Sequence, residues 1–254
     1  MAYTGIFKTL PNQTWCAIGG VSGVETGFKY ASSTLVSTSY VDVWPNASIL
    51  SYLSSAEQVN LASTSPNDDL TGSGLEKVLI FGLDSNYDEI SEEITLNGTS
   101  NVLSTNSYIR VYRMRGTQSN NGSNNTFNAG TITATAASSA TVQAYMEIGT
   151  NNSLQSQFTV PNGKYLIATS STVTVRSGDQ ANVRFFVREF GKVFTLRFEL
   201  NIASQAVETT FNPPIVVPPK ADITARAIKI AGGGTVGLTV SYDYFLADST
   251  IVNI

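Results

Sequence analysis

Residues 77–114 read KVLIFGLDSNYDEISEEITLNGTSNVLSTNSYIRVYRM, three apolar strand-like runs separated by an Asp/Asn/Tyr turn and an Asn-Gly turn. Apolar runs bounded by Asn, Asp and Gly are the signature of strands with tight connections. Residues 78–83 are apolar at successive positions, which predicts a central strand covered on both faces.

Outward from that stretch the period stays at two. In 192–200 (KVFTLRFEL), Phe194, Leu196, Phe198 and Leu200 share one face, while Thr195, Arg197 and Glu199 share the other. The preceding Val183, Phe185 and Val187 alternate with Arg184 and Arg188, and Glu189-Phe190-Gly191-Lys192 reads as the hairpin between the two runs. Val236, Leu238, Val240, Tyr242 and Tyr244 repeat the pattern after Gly232-Gly233-Gly234, and Pro161-Asn162-Gly163 is a further hairpin signal. Pro213-Pro214 and Pro218-Pro219 flank Ile215, Val216 and Val217; proline cannot donate to a ladder, so this piece is an edge strand or a crossover between sheets. Helical periodicity is sustained nowhere, although residues 48–61 have room for one or two turns from a Ser54 cap with Glu57 three residues on.

Many short strands at regular spacing predict an all-β fold, an antiparallel β-sandwich of jelly-roll type over residues 46–254. Residues 1–45 differ. Gly19, Gly20, Gly23 and Gly27 punctuate short apolar pieces there, which predicts an extended N-terminal arm, ordered by lying along the chain's own body or along a neighbouring subunit. Tyr3, Phe7, Trp15, Phe28, Tyr30, Tyr40 and Trp44 all fall in this arm. Large aromatics are the side chains best able to anchor an arm in a partner's pocket, and the alternative is that they pack onto their own body. On the arm reading, removing residues 1–45 leaves the sandwich folded. Residues 63–74 and 119–128 read as exposed loops, the second dense in Asn, Ser and Gly.

Charged residues make up only 13% of the 254, with Ser, Thr, Asn and Gly in their place. A surface of neutral polar groups suits faces that meet other proteins, because few charges lose their water when an interface closes. The net charge of -4 and the lack of any Lys/Arg run argue against a nucleic-acid partner. Arg110, Arg113 and Arg115 are the densest basic group, but Arg110 falls on the opposite strand face from the other two. No window approaches the apolar length that spans a bilayer and no signal segment opens the chain, which predicts a soluble, unexported protein with no membrane partner. The single cysteine, Cys16, leaves no intramolecular disulfide.

Histidine is absent, so a Ser-His-Asp or Cys-His mechanism cannot be assembled from this chain. Glu92 and Glu93 point to opposite strand faces, and with Glu89 they read as solvated carboxylates rather than the facing pair that a glycosidase needs. Asp84, Asn86 and Asp88 match the first spacings of a calcium loop, D-x-N-x-D. Glu89 then stands where the sharp-turn glycine belongs and Thr95 where the bidentate glutamate belongs, so a hairpin turn is the better reading. Asp68 and Asp69 are a weaker candidate. The expectation is a non-enzymatic protein with no cofactor.

The succession GLDSNYDEISEEITLNGTSNV, SYIRVYRM, NAGTITAT, QFTVPNGKYLIATSSTVTV, VRFFVREFGKVFTLRFEL, PPIVVPPKADITARA and VSYDYFLAD, covering most of residues 75–248, resembles a group of structural proteins from tailed bacteriophages abundant in marine viruses. The resemblance implies a β-rich virion component on the outer capsid surface, a decoration or cement protein bridging subunits of the major capsid protein. A homo-oligomer, with a trimer favoured, follows from the same reading. It carries over no catalytic residue. The alternative is a tail or fibre-associated receptor-binding module whose loop at 119–128 contacts a host glycan.

Overall fold

The computed structural model describes residues 12–35, 39–119, 126–231 and 234–252. One short helix, α1 (Asn12–Ala17), leads into β1 (Val24–Leu35) and β2 (Val41–Asp42). The middle of the chain forms β3 (Glu57–Ser63), β4 (Leu75–Leu83), β5 (Glu89–Thr95), β6 (Val102–Tyr108), β7 (Arg110–Ser119), β8 (Ile132–Ala136) and β9 (Val142–Met146). The last third forms β10 (Phe158–Thr159), β11 (Lys164–Val175), β12 (Gln180–Arg188), β13 (Thr195–Ala203), β14 (Ala206–Val217), β15 (Asp222–Ala231) and β16 (Val236–Asp248). The protein is almost entirely antiparallel β-structure, in agreement with the period-two reading.

Two sandwiches form where one was expected over 46–254. The first faces a sheet of order β1-β16-β11-β14 with a sheet of order β10-β15-β12-β13, in which β2 and β10 both pair with β15. Its core is drawn from β1, β11, β12, β15 and β16, including Leu35, Leu166, Val183, Ala225 and Leu238. The second sandwich, inserted between β2 and β10, faces β6-β3-β8-β9 with β5-β4-β7 around Leu61, Ile80, Met114 and Ile132. Alternation alone does not reveal the division, because strands of both sandwiches obey the same rule of one face in and one face out.

The arm reading changes accordingly. β1 pairs with β16 from Val24↔Ala247 to Leu35↔Val236 and places Ala31 and Leu35 in the core, and β2 pairs with β15, so β1, β2 and Val43 belong to the first sandwich and form no separate arm. Trp44 is 1% exposed, held by a hydrogen bond from its Nε1 to Ser48 O at 2.8 Å. α1 and the turn after it precede the first strand, and the short pieces 39–40 and 43–45 flank β2. Residues 48–61 hold no helix: Glu57–Ser63 is β3, whose ladder bonds to β6 and β8 outweigh the capping signal at Ser54.

Several connections differ from the hairpins expected. SYIRVYRM is not one strand. Tyr108 ends β6, which pairs with β3, and Arg110 begins β7, which pairs with β4, so the chain changes sheets at Ile109. Gly82 makes that corner close-packed, since a Cβ there would stand 2.2 Å from Arg110 O and 2.5 Å from the Tyr108 ring. Pro161-Asn162-Gly163 likewise carries the chain from β10 in one sheet to β11 in the other. The hairpin at Glu189–Lys192 does form, with Gly191 at φ 71 and Phe185 stacked on Phe198 at 4.1 Å. The register shifts between Phe185 and Phe186, whose partners are Phe198 and Leu196, so Arg197 is the extra residue of a bulge. It reverses the alternation: Phe198 packs against the core while Leu196 is 44% exposed. The proline-flanked segment is the edge strand β14.

Removing residues 1–22 is expected to leave a cooperative thermal transition by circular dichroism. Removing residues 1–45 deletes β1 and β2 and is expected to abolish the transition, whereas retention of it would show that β1 is dispensable.

Candidate functional site

The aromatic residues singled out for an interface separate into three groups. Tyr3 and Phe7 lie outside the described residues. Trp44 is buried in its own chain, and Trp15 is half-buried against Gly20, where a Cβ would stand 2.3 Å from its indole. Phe28 and Tyr30 alone stand out from the body, 68% and 43% exposed on the outer face of β1. Tyr40 turns inward: its Oη donates to Asn182 Oδ1 at 2.6 Å and its ring lies under the Arg184 guanidinium at 4.4 Å.

Around Phe28 and Tyr30 the outer face of the β1-β16-β11-β14 sheet is built from short hydroxyl side chains. Exposed Tyr30 pairs with Ser241, Ser241 with Thr172, and Thr174 with Thr239, the four serine and threonine residues half-buried on this face. The carboxylate of Asp243 is bridged by Ser170 Oγ at 2.8 Å, and Glu208 lies on the far strand opposite Thr172. α1 lies beside this face, and a groove of about 380 Å³ separates it from Thr26, Phe28 and Phe245.

Asp84, Asn86 and Asp88 form the turn between β4 and β5. Asp84 Oδ1 accepts from the backbone N–H groups of Asn86 at 2.8 Å and Asp88 at 3.0 Å, and Asp88 Oδ1 accepts from Asn162 Nδ2 at 3.2 Å. Among the described residues no group of three or more acidic or cysteine side chains could hold a metal ion. Asp68 is fully buried, and accepts from Leu75 N, Ala129 N, Gly130 N and Ser63 Oγ. Four donors on one carboxylate stitch the 63–74 loop to the start of β8, a structural role for a residue weighed above as a weak calcium ligand. Glu92 accepts from the backbone of Thr105 and Asn106 at 2.7 and 2.9 Å, and so ties β5 to β6 across the second sandwich.

The densest chemistry lies between the two sandwiches, and composition does not reveal it. Asp222 on β15 is 3% exposed and accepts from Arg110 Nε at 2.9 Å, Arg188 Nε at 2.9 Å and Thr159 Oγ1 at 2.6 Å. Arg110, 6% exposed at the start of β7, also donates from Nη1 to Leu53 O at 2.9 Å and Ile109 O at 2.7 Å. Burial alone pulls the guanidinium's pKa down, yet the hydrogen bond to Asp222 and the carboxylate's charge leave it raised. Guanidinium groups and rings alternate above it: Arg110 lies 4.9 Å from the Tyr52 centroid, Arg188 lies 4.3 Å from Tyr52 and 4.7 Å from Phe194, and Arg226 lies 5.1 Å from Phe194. Asp42 anchors the far end, accepting from Arg226 Nε at 2.9 Å, Thr224 Oγ1 at 2.9 Å and Leu50 N at 2.7 Å. Burial, reinforced by the Asp222 and Asp42 charges, holds the Tyr52 hydroxyl's pKa well above its usual range. With every guanidinium stacked and its carboxylates saturated, this network holds elements in place.

The chain matches no protein-family model and no curated protein. Among solved structures it is similar to infectious bursal disease virus particles. The T=1 particle derived from that virus aligns over 90% of this chain and 70% of the other at 11% identity, with a TM-score of 0.23. The Gx strain structure aligns over 90% and 73% at 11% identity and TM-score 0.24, and the VP2 subviral particle over 95% and 79% at 10% and 0.22. Scores this low carry no argument about this chain.

One buried charge departs from the pattern of saturation. Lys29, on the inward face of β1 and 9% exposed, donates from Nζ to Tyr112 O at 2.6 Å, and among the described residues no carboxylate pairs with it. Burial, helped by the Arg113 charge, pushes its pKa down from 10.5 to about 7. Between those values the unfolded chain binds the extra proton, so stability rises with pH from about 7 to 10.5, and the penalty is fully present below 7. Lys29→Met is therefore expected to stabilise the protein most below pH 7, by about 1–3 kcal/mol. Urea unfolding at pH 6 and pH 9 checks this: the advantage of the variant should shrink at the higher pH, and an advantage independent of pH would contradict it.

Proposed function

We propose that this chain is a virion structural protein of a tailed bacteriophage, a non-enzymatic decoration or cement protein on the outer capsid surface that bridges major capsid subunits as a homo-oligomer, with a trimer favoured. The observation that carries this reading is the outer face of the β1-β16-β11-β14 sheet, where exposed Phe28 and Tyr30 stand among serine and threonine hydroxyls with few charges to desolvate. Strand order supports it. With β2 and β10 sharing one position, the eight positions of the first sandwich follow the two-Greek-key order of a jelly roll, an architecture common in viral capsid domains. That support is an analogy of fold, to which the sequence resemblance to phage structural proteins adds.

The mechanism is mass action. A protein that binds the assembled lattice and not its isolated subunits stabilises the lattice by an amount that grows with the logarithm of its free concentration once that exceeds the dissociation constant. Contact through neutral hydroxyls and two aromatic anchors makes that binding only weakly salt-dependent, because few ion pairs form across it.

Densitometry of purified virions tests the assignment. The expected ratio of this chain to the major capsid protein is near unity or a simple lattice fraction, and Phe28→Ser with Tyr30→Ser should lower occupancy without moving the thermal midpoint of the free protein. A trace ratio would overturn the decoration role and place the chain in the tail, as the receptor-binding reading requires.

A further inference from the structure

The unpaired Lys29 opens onto a space of its own. Where the edge strand β1 meets β7 of the inserted sandwich, a cleft of about 90 Å³ is lined by Lys29, Arg113, Asn152, Ser153 and the rings of Tyr112 and Phe158, with Phe28 and Tyr30 at its rim. The Lys29 ammonium lies 5.6 Å from the Tyr112 centroid and 5.5 Å from that of Phe158. Rings can share a cation's field but cannot neutralise it, so this charge is held in the junction without a counter-ion.

What remains available in the cleft is almost all donor. Tyr112 O is taken by Lys29, Asn152 Oδ1 accepts from Arg113 Nε at 3.2 Å, and Ser153 Oγ accepts from Met114 N at 2.8 Å. The remaining Arg113 N–H groups, the Asn152 amide N–H, the Ser153 hydroxyl proton and the other two ammonium protons are left to give. Two cations and two neutral donors converge on a narrow slot with aromatic walls, and no carboxylate lines it.

We propose that this cleft binds a carboxylate, with Lys29 and Arg113 as its charged donors. A planar carboxylate lying against the contacting Tyr112 and Phe158 rings would accept from both cations and supply the counter-ion that the buried Lys29 lacks. The site does not depend on the capsid reading and holds whether the protein covers a shell or sits on a tail. Its carboxylate can come from an acidic sugar or from a bare acid group.

Binding and protonation are coupled. Burial and the Arg113 charge lower Lys29, and a bound carboxylate offsets both, so the occupied cleft holds the ammonium form. The other titratable groups that line the cleft are Arg113, Tyr112, Tyr244 and, at the rim, Tyr30, with Glu89 bonded to the far side of Tyr112 at its Oη, 3.1 Å away. Burial raises Tyr112 and Tyr244, the latter to about 12, so both stay protonated across the range in which Lys29 titrates.

The test is an NMR titration of the full chain at constant ionic strength with sodium acetate and, separately, sodium glucuronate, following the amides of Lys29, Arg113 and Asn152. Saturable shifts are expected, with apparent affinity about tenfold weaker at pH 8 than at pH 6, as a single proton with a pKa near 7 requires. Lys29→Met, whose melt verifies its fold, should lose saturation, and Arg113→Gln should weaken it. Tighter binding of glucuronate that Phe28→Ala removes assigns the site to an acidic sugar, and equal affinities assign it to a bare carboxylate. Shifts that do not saturate with either salt, or saturation that survives Lys29→Met, would overturn the proposal.

Discussion

The structure depends on one carboxylate. Asp222 sits on β15 of the first sandwich and is reached by Arg110 from the second, by Arg188 from the neighbouring strand and by Thr159 from β10. A buried ion pair is stabilising only when its geometry is good and its remaining lone pairs are filled, and here both oxygens are used. Losing Asp222 would leave two guanidinium groups facing each other across Tyr52. The same contact fixes the corner at Ile109, because Arg110 is the first residue after the chain changes sheets, and its Nη1 holds Leu53 O on the segment that enters the inserted sandwich.

What could be read from the residues follows from how far each signal reaches. Alternation reports a strand and its buried face, so the hairpin at Glu189–Lys192, the inward row of Val236 to Tyr242 and the edge position of the proline-flanked β14 were all legible. Alternation does not report which sheet a strand joins. Tyr108-Ile109-Arg110 keeps its period while the partner changes from β3 to β4, and Pro161-Asn162-Gly163 has the turn chemistry of a hairpin although it connects two sheets. For that reason one sandwich was expected and two formed. β1 was misread because glycine-punctuated strands with short side chains look loose until the partner that orders them, β16, is known.

The site residues show the same limit. Sequence ranks Phe28, Tyr30 and Trp44 alike as arm aromatics; the outward parity of β1 exposes the first two, whereas a turn carries the Trp44 indole to Ser48 O. Arg110 reads by simple alternation as facing away from Arg113 and Arg115, but Tyr112 is the extra residue of a bulge, so the three arginines pair with Leu83, Phe81 and Leu79 of β4, and Arg110's carboxylate partner lies 112 residues away, beyond any local pattern. Lys29 becomes conspicuous only once β1 is known to be a strand. Its parity on β1 marks it as inward-facing, and a buried lysine in an otherwise consistent fold is the kind of local violation that accompanies a functional requirement.

Differential scanning calorimetry of the full chain and of Asp222→Asn tests most directly whether this node makes two sandwiches into one cooperative unit. The account predicts a single transition for the natural chain, with equal calorimetric and van't Hoff enthalpies, and a lowered, divided transition for the variant as each sandwich melts separately. A single transition at an unchanged midpoint in Asp222→Asn would contradict it.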